Sequence, residues 1–82
     1  MYYLYILRST TRAFSYIGTT NNLQRRVQQH NLGYSKSTKS YHPFKLVHVE
    51  QFESLTEARK REWYLKCTPE GGKEKKRLIA GG

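Results

Sequence analysis

The chain opens on a run almost without polar positions. Residues 1–8, MYYLYILR, are continuously aromatic or aliphatic. Such residues fit a pleated, buried surface, so the run predicts a strand covered on both faces and central in its sheet. A period of two puts Tyr3, Tyr5 and Leu7 on one face and Tyr2, Leu4 and Ile6 on the other. Ser9 to Ala13 is a short polar connection to a second strand, Phe14 to Gly18. So short a link makes the pair an antiparallel hairpin and brings Tyr5 near Tyr16. Gly18 ends that strand at a point of close backbone approach or positive φ.

Beyond a polar turn at Thr19-Thr20-Asn21 the period changes. Leu23 and Val27 stand four apart as the apolar strip of a first helix. Asn21 or Asn22 caps its start, and Asn31-Leu32-Gly33 stops it. Tyr34 to Pro43 has no apolar period and reads as a polar loop. Phe44 to Phe52 alternates again, with Phe44, Leu46, His48, Glu50 and Phe52 against Lys45, Val47, Val49 and Gln51, and forms a third strand. Leu55 to Lys66 is a second helix, capped by Thr56, with Ala58 and Leu65 facing the core. Thr68-Pro69-Glu70-Gly71-Gly72 breaks it. Lys73 to Ala80 then forms a short basic helix docked through Leu78 and Ile79.

Eighty-two residues suit one domain, 1–82, at the small end of what buries an adequate core. Cys67 is the single cysteine, which excludes a disulfide framework and a cysteine zinc site. No signal-peptide pattern opens the chain and no apolar stretch has membrane-spanning length, so a soluble, cytoplasmic protein without a membrane partner is expected. Fifteen lysines and arginines stand against six glutamates and no aspartate, a formal charge of +9. That balance favours a polyanionic partner, most simply nucleic acid. With so few carboxylates, a hard divalent ion would have few protein ligands and a shell completed by water.

Against this background three placements carry chemistry. At about 100° per residue, Arg26 and His30 stack one turn apart beside the Leu23/Val27 strip, whereas Arg25 and Gln29 take the far side. A guanidinium and an imidazole at the edge of the core suit an anion site; the plainer reading is two snorkelling side chains on a helix flank. Glu62 lies within about 40° of Ala58 on the apolar face of a strongly basic helix. A carboxylate there needs a partner, either a metal ion or a salt bridge to Arg26 or a neighbouring lysine. His48 reads as a satisfied sheet histidine. In the loop, Lys36 and Lys39 interleaved with tyrosines suit phosphate contacts, or simply solvent. Together these groups suffice for phosphodiester hydrolysis. In such a reaction Glu62 could hold one cation, Arg26 could neutralise phosphate charge, and Tyr5, Tyr16 or His30 could move protons, although pattern alone does not show that these groups converge.

Residues 3–30, with Glu62, resemble the GIY-YIG nuclease superfamily, in particular its small stand-alone members. Tyr16-Ile17-Gly18 matches the second signature as written, and Tyr3-Leu4-Tyr5 stands for the first, keeping its final tyrosine. Asn22-Leu23-x-x-Arg26 and the following His30 match the family's helix. Glu62 matches its metal-binding glutamate, and QHNLG and Pro43-Phe44-Lys45-Leu46-Val47 add to the likeness. The resemblance implies an α+β fold, a three-stranded antiparallel sheet flanked by helices. It also implies an endonuclease dependent on one Mg2+ or Mn2+ ion held by Glu62. Tyr5, Tyr16, Arg26, His30 and Glu62 are its implied catalytic residues, and Arg25, Lys36, Lys39 and Lys66 are expected to touch nucleic acid, DNA ahead of RNA. Tyr3 departs from the signature glycine, and Thr19 from the lysine many members carry, a charge Lys36 or Lys39 could replace. Without a separate DNA-binding domain, selectivity is expected to be low or supplied by a protein partner or a homodimer. The alternative is a basic nucleic-acid-binding module that keeps the fold without catalysis.

Overall fold

Two antiparallel pairings around one strand organise the molecule. The computed structural model describes residues 1–34, 36 and 38–81. The strands are β1 (Tyr2–Ser9), β2 (Ser15–Thr20) and β3 (Phe44–Phe52), in the order β2-β1-β3, so the apolar opening run is indeed the central strand. The helices are α1 (Leu23–Asn31), α2 (Leu55–Cys67) and α3 (Pro69–Gly81). None among the described residues is long and apolar enough to cross a membrane.

Alternation along β1 builds two cores. Leu4 and Ile6, with Ile17 of β2, pack on Leu65 of α2, and Leu78 and Ile79 of α3 close over them. On the opposite face Tyr5 and Leu7 join Phe44, Tyr16, and the Leu23 and Val27 strip of α1. The sheet is thus sandwiched, with α2 and α3 behind it and α1 in front.

The second strand runs further than its sequence suggests. Thr19 and Thr20 pair with Leu4 and Tyr3 instead of turning. The start of β1 offers open backbone partners, and β-branched threonines take them readily. In β3 a bulge lies between the pairs His48–Ile6 and Leu46–Leu7. The extra residue is Val47, and it rotates the two halves of the strand relative to one another. Phe44 therefore enters the front core and Phe52 the rear one, although simple alternation puts them on one face. The same rotation sends His48 and Glu50 to the rear. There His48 Nε2 lies 2.7 Å from Glu50, which also accepts from Arg61 of α2 at 2.9 Å, and Arg61 reaches Glu74 of α3. Burial alone would raise the Glu50 carboxyl, but the bonds from Arg61 and His48 outweigh it and hold its pKa down.

Two helix starts differ from expectation. Ser54, not Thr56, caps α2: it is extended (φ −129°, ψ 152°) and its side chain accepts from the Glu57 N–H, whereas Thr56 already lies in the first turn. The glycines of TPEGG do not break the chain into a loop. Pro69 opens α3 directly, where its missing N–H costs nothing. The Thr68 hydroxyl joins the helices, donating to the Tyr64 carbonyl at 2.7 Å and accepting from the Gly71 N–H at 2.9 Å. Within the predicted loop, Lys39–Tyr41 form one 3-10 turn, and Ser35 and Ser37 lie outside the described residues.

Candidate active site

The front face of the sheet places Tyr5 directly across from Gly18 in the strand register. A Cβ on Gly18 would stand 2.8 Å from the Tyr5 hydroxyl and 3.0 Å from the Tyr16 ring. Of the two reasons for a glycine here, close approach is the operative one: the phenol lies across a backbone with no side chain. Gly18→Ala is expected to cost about 1–3 kcal/mol, the usual penalty of overpacking, and to push the Tyr5 hydroxyl off its partners. Thermal unfolding together with the His30 ring signals in NMR checks both effects; unchanged His30 signals would mean that the phenol is not anchored there.

Helix α1 brings the partners. Asn22, extended at its N-terminus, accepts from the Arg25 N–H at 3.1 Å, and Leu23 and Val27 seat the helix on the sheet. Arg26 and His30 then arrive one turn apart over the same phenol. Arg26 Nε donates to the Tyr5 oxygen at 3.4 Å, and His30 Nε2 lies 3.1 Å from it. The Tyr16 ring completes the group, 4.8 Å from His30 and 6.1 Å from Tyr5. Tyr5 is 1% exposed and Tyr16 half-buried, so Tyr16 is the tyrosine that meets solvent.

The protonation states follow from burial. The Tyr5 hydroxyl is pushed up to about 12 by burial, which outweighs its hydrogen bond from Arg26. It is a neutral phenol at pH 7. Burial, then the charge of Arg26, lowers the His30 pKa and keeps the imidazole neutral. The hydrogen bond to Tyr5 raises the Arg26 pKa, so the guanidinium stays charged. In the tautomer that carries its proton on Nδ1, His30 donates to Thr38 and its Nε2 accepts the phenol proton.

A residue that pattern reading did not single out holds the imidazole from behind. Thr38 is 0% exposed, and its hydroxyl lies 2.8 Å from His30 Nδ1. No periodicity marks it within a run of serines, threonines and lysines. The loop is pinned around it, since Ser9 donates to the Tyr41 carbonyl at 2.6 Å, Phe14 stacks on Tyr41 at 3.9 Å, and Asn31 accepts from the Phe44 N–H. Lys36 and Lys39 of the same loop are exposed.

Because the folded-state pKa of His30 lies below the unfolded value, the unfolded chain binds more protons on acidification. Stability from this group is complete above about pH 6.5 and falls as the pH drops below it. We expect the unfolding midpoint to decline from pH 7.5 towards 5.5, and His30→Gln to show a shallower decline. Equal slopes would assign the acid sensitivity elsewhere.

Glu62 reaches the cluster through Lys66. Its carboxylate accepts from Lys66 Nζ at 2.9 Å, and that ammonium lies 5.9 Å from the centre of the Tyr16 ring. Of the partners open to Glu62, the neighbouring lysine is the one it takes; Arg26 is engaged with Tyr5. Arg25 is exposed and lines a cavity of about 210 Å³ with Asn22, Arg26 and Gln29. Among the described residues no three His, Cys, Asp or Glu side chains gather as a metal cage. One carboxylate beside a displaceable, partly exposed ammonium does fit a hard divalent ion whose shell is completed by water and phosphate. It does not fit a closed zinc site.

Residues 1–75 match the family model of the GIY-YIG catalytic domain. The chain is 45% identical over 67 residues to a UPF0213 protein of Clostridium perfringens, covering 80% of this chain and 71% of that one. A UPF0213 protein of Syntrophus aciditrophicus is 44% identical over 66 residues, covering 78% and 75%. The architecture is similar to the solution NMR structure of a UPF0213 protein of Bacillus halodurans, with a TM-score of 0.57 at 33% identity, over 100% of this chain and 88% of that chain.

Proposed function

Because the chain belongs to the GIY-YIG catalytic-domain family, a nuclease family, we propose that it is a divalent-metal-dependent endonuclease that hydrolyses phosphodiester bonds of nucleic acid, DNA ahead of RNA. The observation that carries this reading is the Tyr5 hydroxyl held between Arg26 Nε and His30 Nε2. A neutral imidazole against a protonated phenol is a proton relay. As Arg26 turns from the phenol to the phosphate it uncovers the Tyr5 oxygen, the attacking water passes its proton there, and the Tyr5 proton passes to His30. The P–O ester bond breaks, and the departing oxygen takes a proton from solvent. Arg26, which keeps its charge, meets the extra negative charge on the phosphate oxygens. Half-buried Tyr16 forms the wall between the relay and Glu62. Glu62 would hold the Mg2+ or Mn2+ ion, which supplies Lewis-acid stabilisation of phosphate charge when bound. Arg25 and Lys66 lie beside these groups as phosphate contacts, and Lys36 and Lys39 extend the positive surface along the loop. In this reading the protein acts in the cytoplasm, and its intrinsic sequence selectivity is low unless a second copy or another protein supplies it.

A second reading has one observation in its favour. The Lys66–Glu62 pair neutralises the acid without a metal, as a non-catalytic nucleic-acid-binding module would require. One assay separates the two. Labelled single-stranded, duplex and branched DNA, and RNA, are incubated with Mg2+, Mn2+ or EDTA, with the Glu62→Gln protein as control for contaminating nucleases. Metal-dependent cutting absent from the control is expected. Binding without cutting under every condition would leave the binding module standing.

A further inference from the structure

On the outer side of α2, the residue after Glu62 is a tryptophan that covers no core. Trp63 is 61% exposed, and it lines a cavity of about 340 Å³ with Arg59, Glu62, Lys66 and Cys67. That volume lies at the low end for sites that take small organic groups. Its walls combine an indole face, two cations and the carboxylate proposed to hold the metal. Helical spacing explains the grouping, since Arg59 and Cys67 lie one turn before and after Trp63, and Lys66 one turn after Glu62.

We infer that Trp63 is a stacking platform for an unpaired nucleobase next to the scissile phosphate, so that the substrate class is nucleic acid with single-stranded, frayed or branched nucleotides at the cut. A phosphate engaged at Glu62 and Lys66 leaves its nucleoside beside the next residue of the helix. An indole there offers a π-face to any base, and Arg59 and Lys66 meet the flanking phosphates. A base inside an intact duplex has both faces covered by its neighbours and cannot reach the indole without leaving the stack. A second copy of the chain is a poorer occupant. It would bring another +9 against a cavity already flanked by Arg59 and Lys66. The inference rests on the nuclease reading only for what Glu62 does; stacking on Trp63 is measurable without turnover.

Trp63 is the chain's single tryptophan beside seven tyrosines, so emission excited on the red edge of the indole band, where tyrosine does not absorb, reports this site alone. In EDTA, a short single-stranded oligodeoxynucleotide should quench the emission to saturation. An abasic strand of equal length and charge, and a blunt duplex, should leave it nearly unchanged while still binding by anisotropy. Trp63→Ala, at an exposed position that the fold does not need, should weaken binding of the base-bearing strand by about 5- to 140-fold. Its binding of the abasic strand should not change. Equal quenching by the abasic strand or the duplex would overturn the inference, as would equal weakening of both strands by Trp63→Ala. Emission that varied with protein concentration before any nucleic acid was added would also overturn it, since a second copy would then cover the indole. Quenching that persists in a protein that cuts nothing with Mg2+ would sink the nuclease reading and leave the stacking platform intact.

Discussion

Glu62→Gln is expected to lower metal-dependent turnover by about 10³-fold while the variant binds nucleic acid as tightly as the parent, or more tightly. The substitution keeps the shape of the side chain and removes its charge. Lewis-acid stabilisation of phosphate charge is worth several kcal/mol, and each 1.36 kcal/mol is about tenfold in rate, so on the proposed role of Glu62 losing its carboxylate should cost roughly three orders of magnitude. Binding moves the other way. The parent carboxylate repels phosphate and ties up the Lys66 ammonium; glutamine does neither, so one more cation faces the polyanion. The fold should hardly notice. The pair removed is an i,i+4 contact at the helix surface, worth about 0.3–0.5 kcal/mol, so the unfolding midpoint shifts by only a few degrees. Single-turnover cleavage rates at saturating protein, with affinities measured in EDTA and melting curves, separate the three effects. A variant that cuts like its parent would remove Glu62 from the chemistry.

How much of this was legible in the sequence depends on how local the cause is. Arg26 and His30 share a turn of one helix, and their place beside Leu23 and Val27 follows from helical geometry alone. The central position of β1 followed from an unbroken apolar run, because only a strand covered on both faces has no use for polar positions. What stayed hidden was set by contacts far along the chain. Thr38 lies buried behind His30 because Ser9, Phe14 and Asn31 pin the loop, and no spacing within the loop records that. The bulge at Val47 leaves apolar alternation intact in the sequence while turning Phe44 and Phe52 to opposite faces. Pattern also left the partner of Glu62 open between Arg26 and a lysine. Lys66 takes it by helical spacing, and Arg26 is committed to a tyrosine that arrives from the central strand. The family resemblance named candidate site residues without showing how they meet. The structure adds that Tyr5 is the inner tyrosine and Tyr16 the outer one.

The two adjacent glycines at the start of α3 should respond to alanine with opposite signs. A Cβ on Gly71 would stand 1.8 Å from the Tyr64 carbonyl oxygen and 2.5 Å from its carbon, whereas one on Gly72 would meet nothing within 4 Å. Tyr64 O is the backbone of α2, already bonded by Thr68, so it cannot swing aside as a side-chain tip could. Gly71→Ala must lift α3 or unwind the last turn of α2. Either movement loosens Leu78 and Ile79 from Leu4, Ile6, Ile17 and Leu65, and pulls Glu74 from Arg61. The cost should reach the top of the overpacking range, about 3 kcal/mol, or a fall of 12 °C or more in the midpoint for a chain of about this size. Gly72→Ala changes only the backbone term. Alanine in an open helix position stabilises by about 0.5–1 kcal/mol through the smaller entropy of the unfolded chain, and the midpoint should rise by a few degrees. Circular dichroism melts of the two variants are the check. If Gly71→Ala melts with or above the parent, Pro69 does not start a helix packed against Tyr64, and the linker is the break that the glycines suggest. Because α3 packs behind the sheet and the Tyr5–His30 pair lies in front of it, the Gly71→Ala protein that remains folded should keep the parent's Tyr5–His30 contact, which the His30 ring signals report independently of stability.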